Sequence, residues 1–179
     1  MTAQFVHLHV HSEYSLVDGT VKINALTSAA ADNDMPAVAL TDRGNLFGMV
    51  KFYKSAMGSG VKPIIGAEIW IRDQDDVNNP FSLVLLVKND IGYKNLTRLI
   101  SRSYDEGQHQ GMAMVEYDWL TPEATDGLIA LSVAADGDVG RALVAGNEEL
   151  AVSRLDNWLT VFSGNFYLEL QRTGHTTDD

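Results

Sequence analysis

The chain has 179 residues, 45% of them apolar and 21% charged, enough for one domain with a buried core and not the balance of a disordered segment. Thirteen Lys and Arg stand against 24 Asp and Glu, a formal net charge of −11, so this segment alone is poorly suited to a nucleic-acid phosphate backbone. The absence of cysteine rules out a disulfide framework, a thiolate zinc site and a cysteine nucleophile.

No apolar run is long enough to span a bilayer, and the start Met1-Thr2-Ala3-Gln4-Phe5 lacks a basic-then-apolar signal pattern, so a soluble cytoplasmic domain is expected. Phe5 to Val10 reads as the first strand, with Phe5, His7, His9 and His11 on one face by two-residue alternation. From Thr20, Ile23, Leu26 and Ala30 recur at helical spacing until Pro36. Ala37 to Leu40 is a continuous apolar run, the pattern of a buried parallel strand. Asn45 is placed to cap a helix with Leu46, Met49, Val50, Tyr53 and Met57 on one stripe, closed by Gly58-Ser59-Gly60. Pro63 to Ile71 is the next strand, followed by an acidic turn near Asp73 to Asn79 and a buried-strand run from Ser82 to Val87. Asp90 is read as the cap of a helix aligning Leu96, Leu99, Ile100 and Ser103. Glu106 to Met114, rich in Gly and Gln, reads as a loop. Gly127 to Val133 and Asn165 to Leu170 are the last strands, separated by a helix carrying Leu155, Trp158, Leu159 and Phe162.

Strands alternating with helices predict an α/β fold with a largely parallel sheet, either doubly wound or a β/α barrel. A complete barrel needs about eight strands and roughly 250 residues. Both architectures gather function at the carboxyl ends of strands. His9 and His11, Thr41-Asp42-Arg43, and Ser132 sit at such ends, with Glu68 inside the third run.

His9-Val10-His11 puts two imidazoles on one side of a strand, about 6–7 Å apart along it. Asp18, in the turn Ser15 to Gly19, can fold back toward them, and Glu68 can reach from a neighbouring strand. Two His and two carboxylates suit zinc, manganese or iron, although His-x-His alone is a weak signal and a merely polar patch has the same pattern.

These residues carry a resemblance. Phe5 to Gly19 resembles the opening motif of the polymerase and histidinol phosphatase (PHP) domain, and more narrowly of the PHP domain that begins bacterial DNA polymerase III α subunits. Ala39 to Gly48, Phe52-Tyr53, Gly60 to Glu68, Asn89 to Leu96 and Gly127 to Ser132 match in the same order. The resemblance implies a PHP-type (β/α) barrel, incomplete here, with metal ions at its C-terminal end. It spans 1–173, leaving 174–179 as a polar tail. It also implies phosphoester hydrolysis or 3′–5′ exonuclease activity where all ligands are kept, and docking of a proofreading exonuclease subunit beside the rest of a polymerase α chain in the bacterial replisome. Nothing in these residues resembles the polymerase active site itself.

By the same resemblance His9, His11, Asp18 and Glu68 match metal-ligand positions for Zn²⁺, Mn²⁺ or Mg²⁺. Arg43, Ser82, Ala134 and Thr173 stand where active members carry other ligands. A guanidinium is always charged and cannot ligate a cation. Arg43 is therefore expected to pair with Glu68 or Asp18 and to supply a cation's charge, leaving a degenerate site without tightly bound metal. An incomplete barrel exposes sheet edges, which predicts either self-association or rearranged packing of the final helix and strand.

Other residues receive structural readings. His7 is expected to be a deeper, hydrogen-bonded histidine, and His109 and His175 to be exposed. Ser12 and Ser15 lack a nucleophile elbow. Lys51, Lys54 and Lys62 read as solvated surface, Trp119 and Trp158 as packing. Asp42 is read as a neighbour of the ligands or a cap of the Asn45 helix.

Overall fold

The computed structural model describes residues 5–171 apart from Val17 and Asp75; Thr173, His175 and the 174–179 tail lie outside the described residues. Packing divides the chain inside its longest strand into two compact units, Met1–Glu68 and Ile69–Asp179.

In the first unit, residues 5–11 are not a regular strand. They run extended beside β1 (Ala37–Leu40), where Ala39 N–H donates to His7 O and Thr41 N–H to Val10 O, both at 2.9 Å. Helix α1 (Ile23–Asp32) buries Ile23, Thr27 and Ala30, and β1 pairs in parallel with β2 (Lys62–Ile71) from Ala37↔Lys62 to Leu40↔Ile65. Between them lies α2 (Met49–Gly58). Its N-cap is Gly48, not Asn45. Asn45 instead closes the preceding turn, donating from Nδ2 to Tyr14 O and Arg43 O and accepting from Phe47 N–H. The expected apolar stripe of α2 is only partly turned inward, with Leu46 and Met49 half-buried. Phe52 and Ala56 enter the core with Ile23, Ala30, Val38, Leu40 and Val61, while Val50, Tyr53 and Met57 are exposed. A helix apolar on two sides gives periodicity no means of choosing between them.

The second unit contains β3 (Phe81–Val87), α3 (Asp90–Asp105), β4 (Gln108–His109), β5 (Met112–Val115), α4 (Pro122–Thr125), β6 (Leu128–Leu131), α5 (Asp138–Val144), α6 (Glu148–Phe162) and β7 (Phe166–Tyr167). The strand path β4-β5-β2-β3-β6-β7 is open. The α3 cap is Asn89, whose Oδ1 accepts from Ile91 and Gly92 N–H, rather than Asp90. The predicted loop at Glu106 to Met114 contains an antiparallel hairpin, turning through Gln110 and Gly111 at φ 49° and 84°. Its strands are too short to show a period, and the Gly-Gln composition hides them. Trp158 is buried, with its ring near Phe81, Tyr117, Phe162 and Phe166.

The fold is mixed α/β with a mostly parallel sheet. Pairs β1/β2, β2/β5 and β6/β7 are parallel, whereas β3/β6 and β4/β5 are antiparallel.

Candidate functional site

Two serines and one carboxyl group shape the loop after the histidines. Asp42, 1% exposed at the end of β1, accepts from Ser12 N–H at 2.6 Å, Ser12 Oγ at 2.8 Å and Ser15 Oγ at 2.9 Å. Ser15 Oγ in turn accepts from Arg43 N–H at 2.9 Å. Asp42 is therefore neither a helix cap nor one of the converging donors; it ties the 12–19 loop to β1. Ser12 and Ser15 are buried in this task and are not poised nucleophiles. Gly19 closes the loop, and a Cβ there would fall 1.8 Å from Ser12 O, so only glycine permits the approach.

Held by that loop and the adjoining strands, five ionisable side chains converge. Glu68 is 1% exposed. One of its oxygens, Oε1, accepts from Arg43 Nε at 3.0 Å and lies 3.0 Å from Arg43 Nη2. The other, Oε2, lies 3.0 Å from His9 Nε2 and 2.8 Å from His11 Nε2. Arg43 Nη1 reaches Asp18 Oδ2 at 2.7 Å, and His11 Nδ1 stands 3.5 Å from the same oxygen. The two imidazoles meet edge to face with centroids 5.2 Å apart. Arg43 thus bridges a buried and a half-exposed carboxylate. The Asp18 pair, about a third exposed on both sides, contributes little to stability, whereas the buried Glu68 charge depends on its partner.

His9, His11 and Glu68 offer atoms all within 4.8 Å of one another, and His11 Nε2 is buried without a hydrogen bond of acceptable geometry. Two imidazole nitrogens and a carboxylate oxygen at these separations fit one borderline divalent ion, whose bonds to such donors are about 2.0–2.2 Å. Such an ion would have to share the Glu68 carboxylate with a guanidinium.

The remaining sequence candidates lie elsewhere in the chain. Ser82 is buried near the start of β3, and Ala134 follows β6 in a left-handed turn. His7 is exposed, not deep, and its ring touches Phe5 with centroids 4.8 Å apart. His109 is half-buried against Asn78 Oδ1 at 3.0 Å. Arg102 stacks on Trp119, 4.0 Å from its ring centroid, and Lys51 pairs with Glu13 at 2.8 Å. Sequence reasoning missed Asp138. Its carboxyl is buried and accepts from Trp158 Nε1 at 2.9 and 3.0 Å, and burial raises its pKa. No local motif announces a pair twenty positions apart.

The PHP domain family matches residues 7–173. The chain is 49% identical over 179 residues to the DNA polymerase III subunit alpha of Pseudomonas aeruginosa, covering 100% of this chain and 15% of that one. It is 44% identical over 176 residues to the same subunit of Vibrio cholerae, covering 98% and 15%. Among solved structures, an amidohydrolase from Chromobacterium violaceum aligns over 56% of this chain and 33% of its own at TM-score 0.46 and 22% identity. The chain therefore spans about 15% of the length of the curated relatives it matches, and with the family pattern running from His7 to Thr173, it belongs to the PHP domain family.

Proposed function

We propose that this is the N-terminal PHP domain of a bacterial replicative DNA polymerase α subunit, acting in the cytoplasmic replisome as scaffold and docking module for the rest of the α chain and for the proofreading exonuclease subunit. In this reading the open strand path belongs to an incomplete PHP-type (β/α) barrel, and the converging cluster is a degenerate metal site. His9, His11, Asp18 and Glu68 are its retained ligand positions, and Arg43, Ser82, Ala134 and Thr173 its substituted ones. The observation that carries the reading is the Arg43 guanidinium on both Glu68 and Asp18. A fixed positive charge on the same carboxylates repels an incoming divalent ion and competes with it for Glu68, which weakens binding there.

One observation favours a second reading. The buried His11 Nε2 and the three converging donors could hold a single Zn²⁺ or Mn²⁺ through His9, His11 and Glu68. Bound there, it would act as a Lewis acid toward a phosphoryl oxygen.

Calorimetric titration with Mn²⁺ and Zn²⁺ separates the two. The expected result is no stoichiometric sub-micromolar binding to the unaltered chain, with affinity rising in Arg43→His. Tight one-to-one binding that disappears in His9→Ala, together with Mn²⁺-dependent hydrolysis of p-nitrophenyl phosphate lost in His11→Ala, would establish a working phosphoesterase instead.

A further inference from the structure

Helix α2 has two apolar sides, and the first unit covers one of them. At 3.6 residues per turn, Val50, Tyr53 and Met57 fall on a stripe roughly 110° round the helix from the core residues Phe52 and Ala56. They are 58%, 54% and 57% exposed, and Phe47, in the turn leading into the helix, is 73% exposed. Spacings of three and four residues form the seam that one helix offers to another. A contiguous exposed apolar stripe of this kind is a candidate interaction surface.

Charge indicates what covers it. Residues 44–67 hold Lys51, Lys54 and Lys62 and no Asp or Glu. Up to Glu68 the chain carries five basic and six acidic side chains, of which Asp42 and Glu68 are buried; from Ile69 onward it carries eight against eighteen. The stripe therefore lies in a stretch of an acidic protein whose own charged side chains are all cationic, with Glu13 paired to Lys51 at 2.8 Å and the excess left to Lys54 and Lys62. With a net charge of −11 the whole chain is repelled by anionic lipid, which disfavours a membrane surface.

We infer that the Phe47-Val50-Tyr53-Met57 stripe is the seat of an amphipathic helix from a partner protein, a helix whose flanks carry Asp and Glu facing Lys51 and Lys54. This deepens the docking role proposed above and rests on it. The chemistry names the partner's segment: apolar residues at three- and four-residue spacing enter between the α2 side chains, and carboxylates at the rim steer the approach.

The test titrates the 179-residue chain against a fluorescein-labelled peptide about three heptads long, with Leu on the seam and Glu on both flanks. Saturable binding is expected, weakened about tenfold by Val50→Glu and by Tyr53→Ser. Lys54→Glu should cost about threefold and flatten the salt dependence. Unchanged circular dichroism in each variant keeps the comparison to the surface. Equal binding of a scrambled peptide, or unaltered binding to Val50→Glu, would overturn the inference. So would a concentration-dependent dimer in sedimentation that Val50→Glu abolishes, because the seam would then belong to a second copy. A separate retention assay with the purified proofreading exonuclease subunit distinguishes the two levels. Failure of the unaltered chain to retain it sinks the docking role, whereas retention undiminished by Val50→Glu leaves that role standing and removes the seam as its seat.

Discussion

The ends of strands in the two units have been filled in different ways. In the first unit five ionisable groups meet around Glu68, and a guanidinium links the carboxylates. In the second, the strand ends carry Ser82, Ser132 and Ala134. There the backbone fills space: a Cβ on Gly137 would lie 1.7 Å from Ser132 O, and Val133 and Ala134 adopt φ of 55° and 41°. A β-branched residue in the left-handed region is strained, a cost the surrounding packing must hold. The first arrangement keeps a cluster of opposite charges, whereas the second has small side chains and close backbone packing.

Substitutions at matching places sharpen that contrast. Arg43→Ala leaves Glu68 buried beside two imidazoles without its guanidinium. Breaking a buried pair costs about 3–5 kcal/mol, and because Arg43 is about a third exposed, a loss of about 2–3 kcal/mol is expected in urea unfolding at neutral pH. A loss below ~0.5 kcal/mol would show that the cluster is not held by this pair. Ser132→Ala removes the Oγ that accepts from Glu169 N–H at 3.0 Å, and should cost about 1 kcal/mol in the same assay. Equal losses at the two sites would erase the distinction between them.

The smallest effect concerns Asp138 and depends on pH. Burial raises its pKa above the ordinary 3.8, against the pull of Trp158 N–H, Val139 N–H and the nearby Arg154. Tyr117, on another side, is itself raised by burial and by the Asp138 charge. A raised pKa means the folded chain holds this proton more tightly than the unfolded one. That contribution is full below the ordinary Asp range and is lost as pH rises through the folded value. Asp138→Asn carries no such proton and keeps an acceptor for Trp158. Its stability relative to the unaltered chain should rise from pH 4 toward neutrality by less than ~1 kcal/mol, read from urea midpoints across pH. A difference that falls over this range would contradict the assignment.

Much of the β framework was legible because continuous apolar runs such as Ala37 to Leu40 and Ser82 to Val87 are buried on both faces and need no partner to be recognised. The antiparallel pairing of β6 with β3 was not, since direction is set by tertiary contacts and not by composition. Helix α2 was legible, but its most buried side was misplaced, because apolar residues cover more than one side of it. At the site, residue types and order could be read through the family motif, and His9, His11, Asp18, Arg43 and Glu68 do lie together. The buried knot of Asp42 with Ser12 and Ser15 could not be read, because it joins residues about thirty apart through hydroxyls that are common in any loop.

One consequence follows from the positive group between Asp18 and Glu68 being part of the polypeptide. A protein that relies on a bound ion must be loaded from a cellular pool, and can be starved by scarcity or emptied by a chelator. Arg43 arrives with translation, always charged and in fixed stoichiometry. In the degenerate-site reading proposed above, the cluster is complete once the chain has folded, whatever the supply of manganese or zinc.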